Sequence, residues 1–344
     1  VRPALKAEAQ GREERALAAA LGPGLRLGTS SWAFPGWAGQ VYEPGASERT
    51  LARVGLPAYA AHPLLRTVGI DRTFYAPVTA DVLAAYAAQV PEDFRFLVKA
   101  HEHCTLARFP DHARYGGERG AWNARAFEPG YATDAVVEPF VAGLGARGGV
   151  LLFQLPPQPI AALGGAAGFP ERLHRFLSAL PKGPTYAVEL RNHKLLTPRY
   201  AEALRAAGAV HGHTHHPTMP DVGTQARVVG PPPPGQPLVV RWMLQRTLTY
   251  EAAKAAYEPF DRLVDPDPEA RAQIAALCLA HLDAHPDPTG LAYVVVNNKA
   301  EGSSPASIVA LAHAVATARG RAPAQPTAAP DGPRASHEGA ARPR

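Results

Sequence analysis

Short apolar runs of five to seven residues recur along the chain and carry most of its pattern. They are LRLGT from 25, LRTVGI from 65, FRFLVKA from 94, GVLLFQL from 149, TYAVEL from 185, GAVHGH from 208, LVVRW from 238 and AYVVVNN from 292. Rich in β-branched and aromatic residues, and apolar on both faces, they read as strands of a covered parallel sheet. Helical segments with recognisable ends lie between them. Thr79 is placed to cap TADVLAAYAAQV. Thr197 and Pro198 start PRYAEALRAA, which Gly208 stops, and Ser304 and Pro305 start PASIVALAHAVATA. Eight strands alternating with helices predict an α/β fold, a TIM-barrel-like (β/α)8 closed parallel barrel. A doubly wound open sheet is the rival arrangement.

Residues 1–20 are expected to be a helical N-terminal extension, and 21–318 the barrel domain. Residues 319–344, rich in Ala, Pro and Arg without periodicity, are expected to form a disordered tail. The tail holds five arginines against Asp331 and Glu338, and the first twenty residues add one net positive charge, so about +1 of the total +5 belongs to the body. Basicity thus gathers outside the expected fold, and nucleic acid is not a favoured partner. No apolar run reaches the roughly 18 residues of a membrane span, and the first twenty residues lack the apolar centre of a secretory signal. Cys104 and Cys278 form no paired motif, which suits a reducing, cytoplasmic setting.

Polar residues end almost every strand. Asp71 follows the second, Lys99 and His101 the third, Gln154 the fourth and Glu189 with Arg191 the fifth. His211 and His213 belong to the sixth, Arg241 to the seventh, and Asn297 with Asn298 to the eighth. In a barrel, strand ends meet at the C-terminal mouth, where active sites are built. Glu189 and Arg191, two apart, face the same way, either as a substrate-binding and proton-moving pair or as a structural ion pair. Lys99 fits a base, a Schiff-base nucleophile or an anion contact, with a plain salt bridge to Glu189 or Asp71 as the alternative.

Three further features concern ligands. Trp32 and Trp37 in LGTSSWAFPGWAGQVY, with Tyr75 beyond the second strand, either wall a pocket or pack the first loop onto its neighbours. Ser303 in NNKAEGSSP opens the last helix, where backbone N–H groups bind an anion or are simply capped. The HxH spacing of His211 and His213, joined by His101, suggests a metal set; hydrogen-bonded histidines are the favoured alternative. The segments 103–132 and 231–237 are expected to form further rim.

The chain resembles the YecE-like family, domain of unknown function 72. The resemblance is carried by GTSSWAFPGWAGQVY, DRTFYAPVTADVLAAYAAQVPEDFRFLVKA, LLFQLPP, YAVELR and YVVVNNKAEGSSP. It implies a TIM-barrel-like fold and a bacterial-type protein, and names no reaction. Two departures stand out. Where the family's second strand reads VEIN, this chain has Gly69 and Asp71; where the seventh ends Arg-x-His-Gly, it has Arg241, Trp242, Met243 and Leu244.

The expected function is an enzyme (hydrolase, lyase or isomerase) acting on a small polar or anionic substrate at the mouth. Glu189 is the first choice for proton transfer, with Asp71 also catalytic. Lys99 is a second base, nucleophile or anion contact. Arg191 and Arg241 meet substrate charge, while Gln154, Asn297 and Asn298 orient it. A non-catalytic ligand-binding or partner-binding barrel, and a metal-assisted phosphodiesterase on nucleic acid, are the alternatives. No motif names a cofactor, and a divalent metal is open but not favoured; the oligomeric state is unknown.

Overall fold

The structure is a computed structural model that describes residues 7, 11–286 and 290–320. Eight parallel strands close into a barrel in sequence order: β1 (Leu25–Thr29), β2 (Leu65–Ile70), β3 (Arg95–Lys99), β4 (Gly148–Gln154), β5 (Tyr186–Glu189), β6 (Val210–His215), β7 (Leu238–Trp242) and β8 (Ala292–Val296). β1 closes the ring, pairing with β8 from Leu25↔Ala292 to Thr29↔Val296. Every apolar run read from the sequence is one of these strands, and the open-sheet rival falls to this closure.

Alternation along each strand divides two cores. Leu97, Val150, Leu152, Ala187, Val210, Val239, Tyr293 and Val295 cluster separately from the main core and fill the barrel interior. The other face packs, with residues such as Val98, Leu151, Val188, Val240 and Val294, against the helical layer. Residues two steps beyond an interior residue therefore line the mouth.

Local signals set the helix ends. Thr197 Oγ1 accepts from Tyr200 N at 3.2 Å to start the helix Pro198–Ala207, and Gly208, at φ 72°, ends it. Thr79 precedes the helix Ala80–Ala87 without a side-chain capping bond. The helix Arg12–Leu21 buries Leu17 and Leu21, and its Glu13 meets His313 of the last helix, Ser304–Ala318, at 2.9 Å. That segment is thus part of the helical layer. Residues 321–344 of the expected tail lie outside the described residues. No described helix is long and apolar enough to cross a membrane.

Candidate functional site

Asp71, Lys99, Gln154, Glu189, Arg241 and Asn297 each stand two residues beyond an interior position (Gly69, Leu97, Leu152, Ala187, Val239 and Val295), so strand parity alone delivers them to the mouth. Their centre is Arg241, which is fully buried. Its Nη1 donates to Glu189 Oε2 at 2.9 Å and to Gln154 Oε1 at 3.4 Å, and its Nη2 to both Asp71 oxygens at 3.1 and 3.0 Å. Arg191 Nη2 lies 2.5 Å from Glu189 Oε1 and 3.5 Å from Gln154 Oε1. Burial alone would raise the Glu189 carboxyl, but Arg191, Arg241 and Lys99 outweigh it and hold it down to about 2. Asp71, with its side chain 27% exposed, is where water reaches this network.

Lys99 stands apart from that pairing. It is buried, and its Nζ sits 3.9 Å from the centroid of the Phe74 ring, with no carboxylate at ion-pair distance among the described residues. Burial lowers its ammonium to about 8, with Asp71 and Glu189 opposing the shift and Arg241 and Arg191 adding to it. Three cations (Lys99, Arg191, Arg241) face two carboxylates (Asp71, Glu189), an excess of one positive charge. The salt bridge to Glu189 or Asp71, the alternative reading for Lys99, does not form.

His216, which no sequence motif singled out from its neighbours, belongs to the same mouth. Its Nδ1 contacts Thr218 Oγ1 at 2.9 Å, and burial followed by Arg191 lowers it to about 3. Proximity to Glu189 and Arg241 could be found only once β6 was set beside β5 and β7.

The other three histidines correct the metal expectation. Val210 is an interior residue, so His211 and His213, one and three steps on, face the helical layer instead of the mouth. His211 Nε2 contacts Gln225 Oε1 at 3.1 Å, and Gln225 Nε2 donates to Thr214 O and Pro220 O, so the amide orientation makes His211 Nε2 the donor. Nδ1 then accepts from Tyr200 Oη at 2.9 Å and has no lone pair left for a metal. His213 Nδ1 donates to Val239 O at 3.3 Å. His101 is engaged elsewhere, 2.6 Å from Tyr131 Oη and stacked on His103. The described residues contain no group of three or more His, Cys, Asp or Glu that could hold a metal ion.

The aromatic loop is mostly structural. Trp37 is fully buried, tilted against Phe34 at 5.1 Å, and donates from Nε1 to Asn298 Oδ1 at 3.1 Å. Trp32 is buried edge-on to Tyr86, and its carbonyl accepts from Tyr42 Oη. Of the three aromatics singled out, Tyr75, 63% exposed, is the one that presents its ring to solvent at the rim. The guanidinium of Arg114, from the long segment after β3, lies 5.5 Å from that ring and is anchored to Glu102 at 2.6 Å. This segment is rim, as expected. Residues 231–237 are not, because they lead into the start of β7 and so lie at the opposite end of the barrel.

Asn298 takes a capping role. Its Oδ1 accepts from Ser304 N at 2.9 Å and Ser304 Oγ at 2.8 Å as well as from Trp37. Ser303 donates to Gln40 Oε1 at 2.9 Å, and Asn297 bonds Ser30 and the Lys299 amide. The eighth-strand asparagines and Ser303 are thus tied into the loop framework, and of the two readings of this helix start, anion binding or capping, the contacts are those of capping. The departure at Gly69 has a steric counterpart, since a Cβ there would lie 3.1 Å from Ser30 Cα. A cavity of about 900 Å³ lies at the barrel's other end beside Arg26, Arg66 and Asp93, away from these strand ends.

The family model described as "Protein of unknown function DUF72" matches residues 26–332. Among solved structures, a DUF72 family protein from Enterococcus faecalis aligns at 17% identity and TM-score 0.53, covering 85% of this chain and 94% of its own. A DUF72 family protein from Thermotoga maritima aligns at 18% identity and TM-score 0.49, covering 83% and 96%. At 17% identity the likeness to the Enterococcus faecalis protein is one of fold. No curated protein matches the chain.

Proposed function

The chain belongs to the DUF72 family, and we propose that it is an enzyme whose small, polar, anionic substrate binds at the C-terminal barrel mouth, with Lys99 as the reacting or anion-binding group. One observation carries this reading: a buried ammonium at a strand end without a carboxylate partner, in a mouth of net positive charge. Burying a lysine costs free energy that ordinary folding recovers through a salt bridge; here the missing partner is what an anionic ligand supplies.

Roles among the candidates shift accordingly. Glu189, held at about 2 by two guanidinium groups and Lys99, carries no proton near neutrality and serves to position Arg191 and Arg241. Lys99, at about 8, is tuned for proton transfer or nucleophilic attack at working pH. His216 is the second group that could take part. Hydrolase, lyase and isomerase chemistry all accommodate one such amine beside an anion clamp.

A non-catalytic anion-binding barrel is the second reading, favoured by the engagement of Asp71, Gln154 and Glu189 with arginines, which leaves few groups free to react. Among the described residues no ligand set supports the metal-assisted phosphodiesterase.

The test is a thermal-shift and calorimetric panel of small carboxylates, phosphates and sulfonates on wild type and Lys99→Met, followed by NMR of any bound compound for turnover. Binding that vanishes in Lys99→Met, with turnover in wild type, supports the enzyme. Binding without turnover favours the second reading. Equal binding to both proteins sinks the Lys99 site.

A further inference from the structure

A second lysine completes the mouth. Lys299 lies two residues after Asn297, and its backbone is pinned on both sides: its amide donates to Asn297 Oδ1 at 3.0 Å and its carbonyl accepts from Gln245 N at 2.9 Å. The side chain is buried, with Nζ 4.2 Å from the Tyr250 ring centroid and 5.5 Å from that of Phe260. Like Lys99, it has no carboxylate at ion-pair distance among the described residues. Both ammonium groups sit on an aromatic face instead, a contact weaker than an ion pair.

The two sites connect around the rim. Phe74, under Lys99, packs edge-on to Tyr75 at 5.4 Å. Tyr75 in turn lies close enough to Tyr250 for the two phenols to interact electrostatically. Tyr75 and Tyr250 are 63% and 56% exposed, so the arc from Lys99 to Lys299 faces solvent. With Lys299 included, four cations stand against Asp71 and Glu189. The excess is two positive charges, and the two lysines are the cations without a carboxylate.

From this we infer that the substrate is an organic dianion with two separate anionic groups, one taken by Lys99 and the other by Lys299. The inference rests on the mouth being the binding site proposed above and adds its ligand class. A monoanion would leave one of the two lysines without a carboxylate. A dicarboxylate whose carbon chain spans the tyrosine arc would neutralise both.

Calorimetry on the full chain with acetate, malonate, succinate, glutarate and inorganic phosphate tests it. At least one dicarboxylate is expected to bind about tenfold or more tighter than acetate, the increment of one charge-assisted contact. Lys99→Met and Lys299→Met should each bring it to the acetate level. Lys299→Arg, which keeps the charge, should retain most of the affinity and guards against a merely misfolded Lys299→Met. Dicarboxylate binding lost in Lys99→Met but unchanged in Lys299→Met overturns the dianion while leaving the Lys99 site intact. Phosphate matching the best dicarboxylate also overturns it, since a single group would then suffice. No anion bound by wild type would overturn both.

Discussion

Replacing Arg241 by methionine removes the guanidinium while keeping a long side chain. Its loss frees Asp71, which is partly exposed and rehydrates at small cost. Glu189 is different: fully buried, it would retain only Arg191 in direct contact. Stripping one partner from a buried ion pair costs about 3–5 kcal/mol, because the remaining charge keeps its desolvation penalty. Nearly all of the loss should therefore come from the Glu189 side. Glu189→Gln in the same background removes that stranded charge, so the double variant should lose less than the two single losses added together, with a coupling of about 1–3 kcal/mol. Urea unfolding followed by tryptophan fluorescence and far-UV circular dichroism gives each value. The slope with denaturant must stay constant for the comparison to hold. An Arg241→Met cost under about 1 kcal/mol, or strict additivity in the double variant, would refute a buried network centred on Arg241.

Three other outcomes follow from the same geometry. Lys99, lowered to about 8, should be acylated in trace-labelling mass spectrometry with a midpoint near that pH; a midpoint at the ordinary lysine value of 10.5 would show the amine is not desolvated. His211, lowered by burial from 6.5 to about 4, stays neutral in the fold while the unfolded chain takes up a proton, so its stabilisation is complete above pH 6.5 and disappears as pH falls to about 4. That shift amounts to about 3 kcal/mol, and His211→Asn should flatten the fall; an acid limb identical in the two proteins would remove His211 as its source. Asn298→Ala strands the Trp37 indole N–H and the start of the last helix, for about 2–4 kcal/mol, while leaving anion binding at the mouth intact, measured by unfolding and calorimetry in parallel.

The sequence by itself determined the barrel. Eight apolar runs ending in polar residues coincide with eight strands, because a strand buried on both faces and joined by helices has few other ways to hide its surface. It also placed Asp71, Lys99, Gln154, Glu189 and Arg241 at one end, since each follows an interior position by two residues. Tertiary structure alone decided the rest. In VHGHTH the histidines alternate with small residues, and both faces of a barrel strand are covered, so the sequence does not reveal which face turns inward. The register with β5 and β7 sends His211 and His213 out to Tyr200, Gln225 and the Val239 carbonyl. Likewise Trp37 and Tyr75 are both aromatics after strand ends, yet one is core and the other rim, because Asn298, 261 residues away, reaches the Trp37 indole. Pairing decided the lysine as well. Which carboxylates Arg191 and Arg241 would claim, and hence that Lys99 would be left without one, depends on distances between four strands that no local pattern encodes.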